Sequence, residues 1–522
     1  MNHIELFAGC GGLSLGLASV GFDLLMANEW SPMAAETFAY NFLNEDLTQP
    51  DLVSKVHWIS SQYSRGDLSK RLREDPRTYP KEGGFGDMPD NPEDLGGSLV
   101  VGDIWQLNAW LKSHPEMAKA LSHGLGNGSV DLVSGGPPCQ SFSMAGLREK
   151  NNAKNTLPWA FAEFVSLVKP KITLLENVTG ILRPFTENGK KYHAWFEVCK
   201  VFAMKGYVPI PLHVNAKFAG VAQNRPRFIM LAVRRDLVDG LAPKLNDTEA
   251  ALFKEPLRFY EKASKGEETA IDDLPIRDLN KEGGADFHWF EGTFLSPLLK
   301  KKQKFVSVKE AIDDLKINEP SRPSAFVKEL NKTFAKVLPK RAISNNEKRA
   351  NVPRVARRFR IYQVLSHLDN ASRKAVVAVI SGQASDFSDS IWEELKDFKF
   401  LKEDESLGTF KTKVEFLAFL QDHQTKKLVQ KALVADVPAP AALSIPDDCC
   451  HYDDKEIRTL SVREMARIQS FPDSFMLRSK VTTGGTSRQF EVPQYTQVGN
   501  AVPPLLGRAL GEVVAELLKK IG

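Results

Sequence analysis

Seven short apolar runs, separated by helix-compatible stretches, fill the chain up to about Arg235 and constrain its fold more than any other feature. They are Ile4 to Phe7, Asp23 to Asn28, Ser98 to Gly102, Asp131 to Ser134, Ile172 to Glu176, Val208 to Val214 and Arg227 to Val233. Several are apolar throughout instead of alternating, as strands covered on both faces are. Strands alternating with helices predict an α/β fold: an open, mostly parallel sheet with helices on both faces. In such sheets ligands bind beyond the carboxyl ends of the strands, so the chemistry is expected in the loops that follow them.

One interval breaks this rhythm. Glu29 and Asp103 are 74 residues apart, whereas a whole βαβ unit needs ~30. The excess, residues 51–97, is rich in Gly, Pro, Asp and Lys and reads as an idle surface insertion rather than a DNA contact. Beyond Arg235 the pattern stops. Ala-Ile-Asp-Asp-Leu occurs at Ala270 and again at Ala311, too few copies for a repeat array. From Lys301 to Arg360 there are 17 Lys and Arg against 6 Asp and Glu, an excess of +11 in a chain whose net charge is +4. Such a run is either a solvated face or a phosphate-binding footprint, and charge alone leaves the two evenly balanced. An acidic stretch and a Pro/Ala hinge at Val437 to Ala442 follow. Regular patterning returns at Ile457 and ends in an amphipathic helix from about Leu505 to Lys520.

Composition removes several classes. With 42% hydrophobic and 26% charged residues the chain is ordinary for a globular protein. It carries no apolar run long enough to span a membrane and no signal-peptide pattern, which predicts a cytoplasmic protein. The five cysteines, Cys10, Cys139, Cys199, Cys449 and Cys450, show no C-x-x-C spacing, so a reducing compartment and no metal ribbon are expected.

Phe7-Ala8-Gly9-Cys10-Gly11-Gly12 is a glycine-rich turn after the first strand, where a ligand can approach the backbone, but it lacks the full dinucleotide fingerprint. Glu29 and Trp30 end the second strand, a carboxylate for ribose hydroxyls beside an aromatic that can stack on adenine. Asp103 and Ile104 follow the third, where a second carboxylate can receive the amino group of an adenine. Together they suggest a nucleoside cofactor without a pyrophosphate. The fourth strand ends in Gly135-Gly136-Pro137-Pro138-Cys139-Gln140-Ser141-Phe142-Ser143, which presents Cys139 rigidly as a candidate thiolate nucleophile. Glu176, at the end of the fifth strand, is an acid that needs a partner or a task. In Gln223-Asn224-Arg225-Pro226-Arg227, strand alternation would set Gln223, Arg225 and Arg227 on one face, facing a carboxylate or a base edge.

These blocks resemble, in order, the motifs of the DNA (cytosine-5) methyltransferases: Phe7 to Gly12, Pro137 to Gln140, Glu176 to Val178, the Gln223/Arg225/Arg227 triplet, Arg463 to Pro472, and Gln497-Val498-Gly499-Asn500-Ala501-Val502-Pro503-Pro504. The resemblance covers about Met1 to Arg235 and Ile457 to Gly522. It implies a Rossmann-like fold using S-adenosylmethionine, bound by Phe7, Ala8, Gly9, Gly11, Gly12, Leu13, Glu29, Trp30, Asp103, Ile104, Pro138, Leu157, Asn500 and Ala501. Cys139 would attack C6 of a flipped cytosine, Glu176 would hold N3, and Gln223, Arg225 and Arg227 would orient Glu176 and the base.

The family's acid-x-Arg-x-x-Leu pattern after the catalytic loop is replaced here by Asn151-Asn152-Ala153-Lys154-Asn155-Thr156-Leu157. The resemblance further implies a catalytic domain over 1–275 and 447–522, with a variable target-recognition domain over 276–446. Double-stranded DNA would be contacted by Gln140, Ser143, Arg148 and Lys150 on one side and by Arg354, Arg357 and Arg358 on the other. The expected protein is a bacterial, nucleoid-associated monomer that needs no metal and protects DNA against a cognate restriction endonuclease. The other readings are a transfer-RNA methyltransferase of the same superfamily and a catalytically inactive DNA-binding module.

Overall fold

A computed structural model describes the chain apart from residues 50–53, 60, 62–63, 65–66, 72–73, 75–85, 139–155, 188–189, 428–429, 442–445, 486 and 488–489. Its centre is a nine-stranded sheet. In chain order the strands are β1 (Asn2–Leu6), β2 (Asp23–Glu29), β3 (Val56–Trp58), β4 (Ser98–Val101), β5 (Leu132–Gly135), β6 (Ile172–Val178), β7 (Tyr207–Asn215), β8 (Pro226–Arg234) and β9 (Arg277–Leu279). Across the sheet the order is β9-β7-β8-β6-β5-β1-β2-β4-β3. All neighbours pair in parallel except β8, which runs against both β6 and β7. The chain leaves β1 toward β2 on one side and toward β5 on the other, so the crevice of an open α/β sheet falls between the ends of β1 and β5.

The seven expected strands are all present, with ends within two residues of the reading. Their continuous apolar character has the expected cause. β1, β4 and β5 are buried at every position, and separate cores lie on the two faces. One contains Leu6, Phe161, Phe164 and Phe202; the other contains Leu132, Ile172, Leu231 and Leu510.

Two short strands were not legible. β3 lies inside the 51–97 stretch and pairs in parallel with β4, so part of that stretch is sheet and not an idle loop. β9 extends the other edge past residue 275, pairing Arg277–Leu279 with Leu212–Val214. The middle of the chain is itself divided. Val306 to Leu338 shares a core with Leu460 to Ala501 and with Leu433, Ala439 and Cys449, while Phe359 to Leu420, with Ala432 and Cys450, forms a separate, Phe-rich one.

Buried arginines join these parts. Arg463 donates to the carbonyls of Ser344, Pro472 and Phe475. Arg467 pairs with Asp473 and Asp314. Glu464 pairs with Arg458 and Lys348, and although burial opposes ionisation, Arg458 brings its carboxyl down to about 2. The Arg463–Pro472 block is thus the clamp between the middle of the chain and its C-terminal part.

Candidate active site

The turn after β1 is tied down by its neighbour strand. Ala8 N–H donates to the Asn28 carbonyl at 2.9 Å, and Phe7 takes a left-handed φ of 55°, an uncommon conformation for a non-glycine residue that often marks a functional turn. Glu29 accepts Gly9 N–H at Oε2 and Ser31 N–H at Oε1, each at 2.7 Å. Burial raises the proton affinity of this carboxyl and the amide donors oppose that rise. The residue expected to hold a ribose therefore also fixes the glycine turn, with lone pairs left for further donors.

Asp103 caps the helix Ile104–Ser113, its Oδ1 accepting Trp105 N–H at 2.6 Å. Trp30 and Leu157 are half-buried, and Leu157 opens the helix Leu157–Val168. Two side chains expected at the cofactor turn away. Leu13 is buried in the core with Leu17 and Leu510, and Ile104 in the opposite core, so only their backbones can serve a ligand.

The far end of the chain closes on this turn. A Cβ on Gly12 would stand 2.2 Å from the Val502 carbonyl oxygen, so the approach of Ala501–Val502 requires glycine. Asn500 is exposed and Ala501 is 9% exposed. Arg225 fixes this return, its Nη2 donating to the carbonyls of Gly499 at 2.8 Å and Ala501 at 3.0 Å.

On the other side of the crevice, β5 runs into Gly136, Pro137 and the exposed Pro138. Asn177 Nδ2 donates to the Pro137 carbonyl at 3.0 Å and holds this turn to the end of β6. Glu176, 8% exposed, forms an ion pair with Arg227 on β8, Oε1 to Nε 2.7 Å. A Cβ on Gly136 would lie 3.0 Å from Glu176 Oε2, so that oxygen faces the Gly-Pro-Pro turn. Burial lowers the proton affinity of both guanidiniums; the neighbouring Arg227 charge lowers Arg225 further.

The expected triplet is therefore split. Arg227 meets Glu176, Arg225 turns to the C-terminal carbonyls, and Gln223 is buried with its Oε1 unpartnered. The reason is that β8 begins only at Pro226. The preceding residues dock on Ala439 instead, Asn224 N–H donating to its carbonyl at 2.7 Å and Ala439 N–H to that of Ala222 at 2.9 Å.

Cys139, Gln140, Ser143, Arg148 and Lys150 lie outside the described residues. The other four cysteines are all buried, which pushes the Cys10 and Cys449 thiols up to about 12 and raises those of Cys199 and Cys450 as well. None of the four is suited to act as a thiolate. Among the described residues no His/Cys/Asp/Glu group could hold a metal ion, and no helix is long and apolar enough to cross a membrane.

Much of the basic excess has internal partners. Arg354 donates to the Asp422 carbonyl at 2.6 Å and Arg357 Nε to His423 Nε2 at 2.9 Å, while Arg358 is half-buried. Lys316, Lys348 and Arg360 are likewise held by Asp453, Glu464 and the Lys399 carbonyl. Of the three arginines expected to bind phosphate, only Arg354 is exposed.

Comparison with known proteins bears on this arrangement. The family model of C-5 cytosine-specific DNA methylases matches residues 1–56 and 111–516. The Type II methyltransferase M.DdeI of Desulfomicrobium norvegicum is 23% identical over 529 residues, covering 100% of this chain and 90% of that one. M.AgeI of Thalassovita gelatinovora is 25% identical over 535 residues, 98% and 99% of the two chains. The crystal structure of a putative DNA modification methyltransferase encoded within a prophage (E. coli) aligns over 99% of both chains at 18% identity, with a TM-score of 0.45.

Proposed function

The chain belongs to the C-5 cytosine-specific DNA methylase family, and from that premise we propose how its residues carry out the reaction. It is a DNA cytosine-5 methyltransferase of the sequence-specific kind found in restriction–modification systems. The observation that carries the catalytic assignment is the Glu176 carboxylate, paired with Arg227 at 2.7 Å and facing Gly136, three residues before Cys139.

The Cys139 thiolate adds to C6 of a cytosine turned out of the duplex, because a stacked base gives a nucleophile no approach to that atom. Glu176 holds N3 and a proton there, so addition of the thiolate gives a neutral enamine, nucleophilic at C5, in place of a charged ring. Arg227 fixes the orientation of Glu176. Once C5 has taken the methyl group, loss of its proton allows the thiolate to leave, giving 5-methylcytosine.

The cofactor we assign is S-adenosylmethionine, which supplies the electrophilic methyl group taken by C5. The residues suit it. No Lys or Arg precedes Lys55 in the sequence, and the carboxylates of Glu29 and Asp103 stand at the ends of β2 and β4. That donor set favours a cationic nucleoside with ribose hydroxyls over a pyrophosphate. A Cβ on Gly9 would meet nothing within 4 Å, so this face of the turn is open. Phe7, Ala8, Gly9, Gly11, Glu29, Trp30, Asp103, Pro138, Leu157, Asn500 and Ala501 would hold it, with Gly12 and the backbones of Leu13 and Ile104.

The substrate is double-stranded DNA, bound by a monomer in the cytoplasm, with a restriction endonuclease as the genetic partner. The test uses purified protein, S-adenosylmethionine and unmethylated genomic DNA, read by sequencing that reports 5-methylcytosine. Methylation confined to one short recurrent motif is expected. Methyl transfer to RNA in place of DNA would overturn the substrate assignment. Cys139→Ser is expected to abolish methyl transfer while leaving cofactor binding intact; near-normal turnover would overturn the covalent mechanism.

A further inference from the structure

We propose that Ile59, on the extra edge strand β3, forms one wall of the pocket for the cofactor's adenine, an inference that rests on S-adenosylmethionine being the cofactor. β3 runs parallel to β4, so its carboxyl end lies at the same sheet edge as the residues assigned to the cofactor. Ile59 is the first residue beyond it. Its N–H donates to the Val101 carbonyl at 3.0 Å, which sets it beside Gly102 and Asp103. The contact is close: Gly102 takes φ +141°, and a Cβ there would fall 2.1 Å from Ile59 Cγ2. The isoleucine side chain thus fills the space over Gly102, next to the carboxylate expected to receive the adenine amino group.

Burial points the same way. Trp58 and Val56 are at most 1% exposed, whereas Ile59 is half-buried and rests on the rim of the apolar core that Phe7 and Leu157 also border. An aliphatic side chain there offers adenine a flat apolar contact. The wall is braced from behind. Asp87 accepts Trp58 N–H at 2.5 Å and returns its own N–H to the Trp58 carbonyl at 3.0 Å. Arg71, fully buried, pairs with Asp87 at 2.6 Å and covers the Trp58 ring at 5.1 Å. A buried ion pair is costly to form and costly to break, and its clearest use is to fix one arrangement. The family match pauses between residues 56 and 111, so Ile59 and its brace lie outside the matched residues.

The test compares full-length wild type with Ile59→Ala, Ile59→Val and Ile59→Leu, measuring the Kd for S-adenosylmethionine by titration calorimetry and KM for cofactor and DNA separately. Loss of the apolar contact in Ile59→Ala is expected to weaken cofactor binding about tenfold, with the rise in KM for the cofactor and not in KM for DNA. Ile59→Val should weaken it about twofold to threefold, and Ile59→Leu should restore it. If the alanine variant does not fold, the valine and leucine variants carry the comparison. An unchanged Kd across the series, or equal rises in both KM values, overturns the inference while leaving the cofactor assignment intact. A wild type that does not bind S-adenosylmethionine overturns that assignment instead.

Discussion

Replacing Arg227 by methionine tests whether the guanidinium acts through Glu176 or directly on the base. The two side chains meet at 2.7 Å with 10% and 11% exposure. At an effective dielectric of about 20 their attraction at this distance is about 6 kcal/mol. Desolvation offsets part of it, and removing one member of a buried pair typically costs about 3–5 kcal/mol. If that interaction holds Glu176 where N3 arrives, its loss should slow the chemical step by roughly 10²–10³-fold, as losing one preorganised hydrogen bond does elsewhere. Glu176→Gln should do the same. Because the pair acts as one unit, the double variant should be no slower than the worse single one, not slower by the product of the two effects. Single-turnover transfer of a labelled methyl group to an oligonucleotide carrying the recognised cytosine measures this directly, with cofactor binding as the control. Multiplicative losses would refute the reasoning and show that Arg227 contacts the substrate independently.

Gly12→Ala would drive a Cβ to within 2.2 Å of the Val502 carbonyl, a backbone atom with little room to yield; a lower Tm together with weaker S-adenosylmethionine binding is expected, and an unaltered Kd would separate Gly12 from the pocket. Changing Arg354, Arg357 and Arg358 together to Gln should weaken DNA binding and flatten its salt dependence. The structure adds that loss of the Asp422 and His423 contacts should lower Tm as well, and an unchanged salt slope would move the phosphate-binding surface elsewhere. Stability should also peak near pH 6.5. Burial lowers His3 and His451 from 6.5 to about 4, so their contribution is present above pH 6.5 and lost as pH falls toward 4. Burial raises Glu5 from 4.5 to about 8, so its contribution is present at low pH and lost as pH rises to 8. Thermal midpoints across pH 4 to 8.5 check this: Glu5→Gln should remove the alkaline decline, and a wild-type midpoint still climbing from pH 6.5 to 8 would contradict it.

What could be read from the sequence follows from the range over which each signal acts. The seven long strands were legible because burial on both faces writes a continuous apolar run into four to nine consecutive residues. β3 and β9 have three residues each, too few for any periodicity, and exist because a neighbouring edge accepts them. Glu176 could be singled out because an acid ending a buried strand needs a partner, and the partner proved to be one of the arginines named. The alternation argument failed at Arg225 because it assumed a strand from 223 onward. Contact with Ala439, more than 200 residues away, decides that local geometry instead. The same limit applies to charge. Arg354 and Arg357 look free in sequence, yet their partners are 68 and 66 residues downstream, and Lys348 finds Glu464 only because the Arg463–Pro472 block folds back over it. Local composition tells where charge is concentrated; long-range packing tells how much of it remains for phosphate. Of the arginines in the helix Pro353–Leu365 only Arg354 is exposed, whereas Lys301, Lys302 and Lys304 all are, and of these three Lys302 is paired with Glu291 at 2.7 Å.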